Sequence, residues 1–149
     1  MKKITLFCDG SSLGNQYSNS YGGWCAILRY KTFDKILSGN EANTTNNRME
    51  LTAVIEGLKA LKEPCDITIV SDSKYVCDGI SAWLDNWTKK NFKNVKNVEL
   101  WQAYLRYAKN HKITTRWIKG HDGHIENEKC DSIARAEALI LKDSTKGKI

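Results

Sequence analysis

The stretch TTNNRMELTAVIEGLKALKEPCDITIV, Thr44 to Val70, contains the helix and strand whose order decides how the chain is built. Leu51, Val54, Ile55, Leu58 and Leu61 recur at the i, i+3, i+4, i+7 spacing of a helical stripe that faces a core. The spacing predicts a helix from about Asn47 to Leu61, stopped near Pro64. Asp66 to Val70 (DITIV) is a short β-branched run, the signature of a strand. Glu50 precedes Val54 and Leu58 by one and two turns, so its carboxylate is aimed at the stripe and needs a partner there.

Upstream, Lys3 to Cys8 (KITLFC), Gly22 to Tyr30 (GGWCAILRY) and Lys31 to Gly39 (KTFDKILSG) read as three strands in close succession, an antiparallel meander. A helix joining that meander to Asp66–Val70 implies a crossover and a parallel strand pair. Downstream, Ser73 to about Asn86 is predicted helical, Thr88 to Asn97 basic and irregular, and Val98 to Lys109 helical with Leu100, Trp101, Tyr104 and Leu105 as its apolar face. Lys112 to Ile118 is a fifth strand and Glu126 to Leu141 a last helix. The fold class is α/β: a five-stranded mixed sheet, three strands in a meander plus two parallel strands, flanked by helices. Residues 1–142 form one domain, and the polar residues Asp143 to Ile149 are expected to be a disordered tail.

At 149 residues the chain suits a single core. Its net charge of +6 points to an anionic partner without separating nucleic acid from an acidic membrane surface. Five cysteines (Cys8, Cys25, Cys65, Cys77, Cys130), odd in number and without a CxxC pair, speak against a disulfide framework or a zinc site and fit the reducing cytoplasm. The first apolar run breaks at Asp9, too early for a signal peptide, and no run approaches the ~18 residues of a spanning helix, so no membrane association is expected.

Asp9 follows the first strand and Asp72 the strand at Asp66–Val70. In α/β sheets ligands gather outside the carboxyl ends of adjacent parallel strands. If these two strands are neighbours, Asp9 and Asp72 face each other and Glu50, on the crossover helix, joins them. Asp131 shares a helix face with Ala134, Ala138 and Leu141 and completes the set. Singly, Asp9 and Asp72 read as turn or cap residues. Four acids sent to one sheet edge would repel one another, and a divalent cation removes that cost; all-oxygen ligation suits Mg²⁺ or Mn²⁺. An EF-hand fails at Leu13 and Ser20, no GxxxxGK[ST] loop is present, and His121 and His124 lack cysteines at zinc spacing. These histidines, in the loop Gly120-His121-Asp122-Gly123-His124, are both available for proton transfer or product release, and spacing does not choose between them.

FCDGSSLGN, TTNNRMEL, VSDSKYV and WIKGHDGHIENEKCDSIAR, in this order, resemble the four blocks of the ribonuclease H family, of the type 1 bacterial kind, and the similarity runs from Met1 to about Leu141. The resemblance implies a ribonuclease H-like fold and an endonuclease that cuts the RNA strand of RNA/DNA hybrids, leaving 5′-phosphate and 3′-hydroxyl ends. It implies that Asp9, Glu50, Asp72 and Asp131 hold two Mg²⁺ ions, for which Mn²⁺ substitutes. Asp9 would bridge them: Asp9 and Asp131 on the ion that makes the nucleophilic water, Asp9, Glu50 and Asp72 on the ion at the leaving oxygen. His121 matches the catalytic histidine, leaving His124 to cap or pack at the start of the last helix.

The resemblance also places Ser12, Asn15, Asn46 and Asn47 in the minor groove of the hybrid, with Thr45 and Asn46 near a phosphate of the DNA strand. Thr45 and Asn46 also read as helix caps. Lys74 stands where many relatives carry a glutamine that touches RNA, and NQYSNSYGGW replaces a turn that relatives make rich in glycine and proline. A short basic protrusion at about 83–98, with Trp83, Trp87, Lys89, Lys90, Lys93 and Lys96, would grip the DNA strand. The expected partner is an RNA/DNA hybrid, met by a cytoplasmic monomer with no obligatory protein partner. The alternatives are a hybrid-binding module without activity, which would lack the acids, and a DNA nuclease of the same superfamily, which would not need the TTNNRMEL amides.

Overall fold

Alternation along the first strand divides the core in two. In the computed structural model, which describes residues 1–14 and 19–146, β1 runs from Lys2 to Gly14. Ile4, Leu6 and Cys8 pack into one apolar cluster and Phe7 into another on the opposite face. β2 (Ser20–Tyr30) pairs antiparallel with β1, and β3 (Phe33–Ala42) antiparallel with β2. α1 (Asn46–Lys59) crosses over to β4 (Cys65–Ser71), which lies parallel to β1, and β5 (Lys112–Trp117) lies parallel to β4. The sheet order is β3-β2-β1-β4-β5, the expected meander plus two parallel strands.

The helix stripe read from sequence is the one buried: Leu51, Val54, Ile55 and Leu58 lie in the larger cluster with Trp101, which is completely buried. Trp101 belongs to α4 (Val98–Ala108), so α1 and α4 share one face of the sheet. α5 (Ile125–Lys146) covers the other face with Cys130 and Ala134 against Phe7, Cys25, Ile27 and Val70. No helix of the described residues is long and apolar enough to cross a membrane.

Three boundaries differ from expectation. β1 does not stop at Cys8; Asp9 to Gly14 continue it, paired with Cys25 to Ser20. DGSSLG has turn composition, and long-range pairing overrides that local preference. The helix expected over 73–86 is three pieces: α2 (Lys74–Asp78), a π-helical turn (Gly79–Trp83) and α3 (Leu84–Lys89). Gly79 lies so close to the Trp101 ring that a Cβ there would sit 2.4 Å from it. Finally, α5 continues to Lys146, so Asp143–Lys146 are helical where a disordered tail was expected. A polar helix end carries no apolar periodicity to announce itself.

The basic segment after α3 turns repeatedly, with left-handed backbone at Asn91, Phe92, Asn94 and Asn97. Asparagine tolerates this conformation; Phe92 does so less readily, and its ring is packed against the core.

Close helix approach is what brings α5 to the sheet. A Cβ on Gly23 would lie 1.9 Å from the Ala134 carbonyl oxygen, a backbone atom that cannot swing away. Gly23→Ala is therefore expected to lever α5 off β2 and destabilise the protein by about 1–3 kcal/mol or more, read as a fall in the urea midpoint. An unchanged midpoint would mean that the contact yields freely.

Candidate active site

The register of β1 and β4 ends at Phe7 and Val70. Two residues beyond that register stand Asp9, still within β1, and Asp72, just past the end of β4, at the point where β4 leaves β1 and opens the sheet. Asp9 is 4% exposed. Burial, then the charge of Asp72, with smaller contributions from Asp131 and Glu50, pushes its carboxyl up to about 8; the Gly10 amide, donating to Asp9 Oδ1 at 2.9 Å, works in the other direction. Glu50 is pushed up to about 7, by burial first and by Asp72, against a hydrogen bond with Ser73. The four acids chosen from sequence therefore act on one another across one site.

The backbone explains how Glu50 reaches it. A Cβ on Gly10 would lie 2.3 Å from the Glu50 amide nitrogen and 2.4 Å from the Met49 carbonyl carbon, so only glycine lets the first turn of α1 rest on β1. The acids form an open, mutually repelling set: among the described residues no three such side chains close on one point as a finished metal cage. Their donor set is nevertheless all carboxylate, the chemistry that suits a hard divalent cation, and the upward shifts at Asp9 and Glu50, caused by burial first and by like charge second, are of the kind a bound cation opposes.

His121 is exposed, with φ 56°, in the loop after β5. The loop begins against the site, since a Cβ on Gly120 would come within 2.8 Å of Asp72 Oδ2. His124 does something else. Its Nδ1 accepts the Asn127 amide hydrogen at 3.2 Å and its ring lies 5.9 Å from that of Phe7, which makes it the side-chain cap of α5.

Beside the acids, Ser12, Gly14, Thr44, Thr45, Asn46, Asn47, Lys96 and Asn97 line a cleft of about 480 Å³. Asn15 lies outside the described residues. Thr45 caps α1, its hydroxyl accepting from the Arg48 amide at 3.2 Å, while its side chain stays exposed in the cleft wall. Lys96 comes to this cleft from the basic segment; Lys89, Lys90 and Lys93 are exposed elsewhere along it. Trp83 is exposed and Trp87 half-buried, with ring centroids 5.8 Å apart and Trp87 edge-on to Trp101 at 5.3 Å.

A model of the RNase H family matches residues 1–139. The chain belongs to the ribonuclease H family. The ribonuclease H of Campylobacter concisus (strain 13826) is 60% identical over 146 residues, 98% of this chain and 99% of that protein. The ribonuclease HI of Helicobacter pylori (strain ATCC 700392 / 26695) is 59% identical over 138 residues, 93% of this chain and 94% of that protein. Among solved structures, LC9-RNase H1, a type 1 RNase H with the type 2 active-site motif, is similar with a TM-score of 0.85 at 27% identity, over 93% of this chain and 72% of that one. The PFV RNase H domain, at 23% identity and a TM-score of 0.76 over 93% of this chain and 96% of that one, shares the fold.

In this ribonuclease H several residues that sequence reasoning did not single out hold the acids. Asn127, buried, donates from Nδ2 to Asp72 Oδ2 at 3.4 Å, and Arg135 Nε donates to Asp131 Oδ2 at 3.1 Å. Asn127, Asp131 and Arg135 are spaced four apart on α5, a signal that was available in the sequence. Asn97 was not so readable. It starts α4 in a left-handed conformation, accepts from Arg48 at 3.2 Å and donates to the Tyr75 hydroxyl at 3.0 Å, tying the basic segment to the first turn of α1.

The raised carboxyls fix a pH dependence. With Asp9 near 8 in the folded protein and ~4 when unfolded, the native state holds a proton that the unfolded chain has released. This stabilisation is complete below about pH 4 and disappears as pH rises through about 8, and Glu50 adds the same trend up to about 7. In a chelating buffer, the melting temperature of Asp9→Asn should fall less between pH 5 and pH 8 than that of the unaltered protein. Parallel falls would show that Asp9 is not the titrating group.

Proposed function

We infer that this ribonuclease H is an endonuclease hydrolysing the RNA strand of RNA/DNA hybrids, and that Asp9, Glu50, Asp72 and Asp131 hold two Mg²⁺ ions, with Mn²⁺ as a substitute. One observation carries the reading: a carboxylate on the central strand, pushed up by burial first and then by the charges of three other acids, opens beside a cleft lined with amides and hydroxyls. When bound, a pair of divalent ions supplies an activated water and charge stabilisation at the leaving oxygen of an in-line displacement.

The chain's own groups do the rest. The Gly10 amide fixes the Asp9 carboxylate, Asn127 orients Asp72, and Arg135 pairs with Asp131 one turn along α5. Asp9, which the charges of Asp72, Asp131 and Glu50 all reach, is the acid that would be shared by both ions. His121, on its exposed loop, moves the proton at the reacting phosphate. The products carry 5′-phosphate and 3′-hydroxyl ends.

Ser12, Asn15, Asn46 and Asn47 read the minor groove, which displays the 2′-hydroxyls of the RNA strand. Thr45 and Asn46 hold a DNA-strand phosphate near Lys96. The protrusion supplies Lys89, Lys90, Lys93 and Trp83 to the DNA backbone, Trp87 packs beneath Trp83, and Lys74 meets the RNA. The working unit is a cytoplasmic monomer.

Incubation with RNA/DNA hybrid, double-stranded RNA and double-stranded DNA, each with Mg²⁺ and with EDTA, tests this: cleavage is expected of the hybrid alone and with Mg²⁺ alone. Cutting of double-stranded DNA would replace the reading with a DNA nuclease, and tight hybrid binding without cutting would replace it with a binding module. His121→Ala is expected to lower turnover by up to ~10²–10⁴-fold, whereas His124→Ala, which removes the cap of α5, should cost about 1 kcal/mol of stability with turnover largely kept. Turnover and melting of the two variants, measured side by side, decide between the histidines; the reverse ranking would reassign the proton carrier.

A further inference from the structure

Trp117 is 45% exposed at the end of β5, a large aromatic that the core does not use. Its position is nevertheless held on three sides. Its backbone pairs with Ser71, and the following amide, of Ile118, donates to the Ser71 carbonyl at 2.9 Å. Its indole Nε1 donates to the carbonyl oxygen of Asp72 at 2.9 Å. Over its ring, 5.0 Å from the centroid, stands the ammonium of Lys74.

Lys74 is the first residue of α2, capped by Ser73, where a cation opposes the helix dipole. Among the described residues it makes no ion pair, although Asp72 lies two positions before it. A charge kept at an unfavourable helix end, free of carboxylates and carried on an aromatic face, is available to an anion. Its location says which. β5 lies on the side of β4 away from β1, so Lys74 and Trp117 flank the acids opposite the cleft formed by Ser12, Thr45, Asn46 and Lys96. A lysine two residues from Asp72 is placed to meet the strand whose phosphate would enter the carboxylate site.

We propose that Trp117 is a positioning residue that holds Lys74 against a backbone phosphate of the strand being cut, next to the scissile one, giving this protein a salt-dependent grip on the RNA strand apart from the basic protrusion. This rests on the function proposed above. Trp117 acts through its ring, which fixes the ammonium, and through its indole N–H, which braces the main chain of Asp72.

A lysine on a phosphate releases condensed counterions when substrate binds, so its loss flattens the log–log dependence of KM on salt by about one. KM for one RNA/DNA hybrid is measured from about 50 to 200 mM KCl for the unaltered protein, Lys74→Met, Trp117→Leu, Trp117→Phe and the double variant Lys74→Met/Trp117→Leu, with melting curves for each. Lys74→Met is expected to lower the slope by about one. Trp117→Leu should lower it equally, the double variant no further, and Trp117→Phe, which keeps an aromatic face, should retain the original slope. A merely structural role for Trp117 would shift melting and leave the slope untouched.

The proposal is overturned if Lys74→Met runs parallel to the unaltered protein, if Trp117→Leu keeps the original slope, or if the two losses add. Lys74 is exposed, so its variant decides the phosphate contact even if Trp117→Leu does not fold. Hybrid cleavage with unmoved slopes sinks this proposal alone, while absence of any hybrid cleavage by the unaltered protein sinks the parent reading and this one together.

Discussion

A carboxylate on the central strand of a sheet, buried and facing three others, is costly, and the arrangement of this molecule turns on that cost. Asp9 sits where β4 departs from β1, the place in a parallel pair where strand ends open a crevice. Gly10 lets α1 bring Glu50 to it, and Gly23 lets α5 lie close enough for Asp131. Each approach adds negative charge to a site already short of water. The fold supplies partial compensation only: one backbone amide on Asp9, the Ser73 side chain on Glu50, one side-chain amide on Asp72, one guanidinium on Asp131. What is left uncompensated appears as the upward shifts of Asp9 and Glu50.

That imbalance separates this cluster from ordinary surface acids. Asp34 and Glu126, both paired with Arg29, have carboxyls held below the usual range. Exposed pairs of that kind contribute little to stability. Asp9 and Glu50 move in the opposite direction because burial and like charge outweigh their hydrogen bonds. Perturbed groups of that second type, beside an open cleft, mark places where a protein gives up stability for chemistry.

Polar surfaces flank the acids on two sides and are built by different means. On one side, α1 and the start of α4 are joined through Arg48, Asn97 and Tyr75, with the Trp101 indole also donating to the Tyr75 hydroxyl at 2.9 Å. A basic segment full of left-handed turns is thereby tied to the first turn of a helix far away in sequence. On the other side, a single tryptophan at the end of β5 spans the main chain of Asp72 and the ammonium of Lys74. The first surface is anchored in the core through Trp101, the second rests on strand ends.

Periodicity and element order were enough to determine the crossover, the meander and the buried face of α1, because Leu51, Val54, Ile55 and Leu58 can be buried together only on one helix face, whereas the division of the core into two clusters came from the structure. Chain position was enough to send Asp9, Asp72 and Glu50 to one sheet end, since strand direction and crossover decide where strand ends lie. Asn127 and Arg135 were not singled out, although their spacing four residues either side of Asp131 could have been read. Tertiary structure alone decided the rest. The continuation of β1 through Asp9–Gly14 depends on hydrogen bonds to β2, and local composition carries no trace of a partner strand. The meeting of Lys96 and Asn97 with Asn46 and Asn47 depends on α4 packing against α1, a contact between residues about fifty apart in sequence. The place of Trp117 follows from the parallel register of β5 on β4, which stands its indole over the Asp72 carbonyl. Backbone pairing and close helix approach are long-range constraints, and no local window of sequence contains both of their partners.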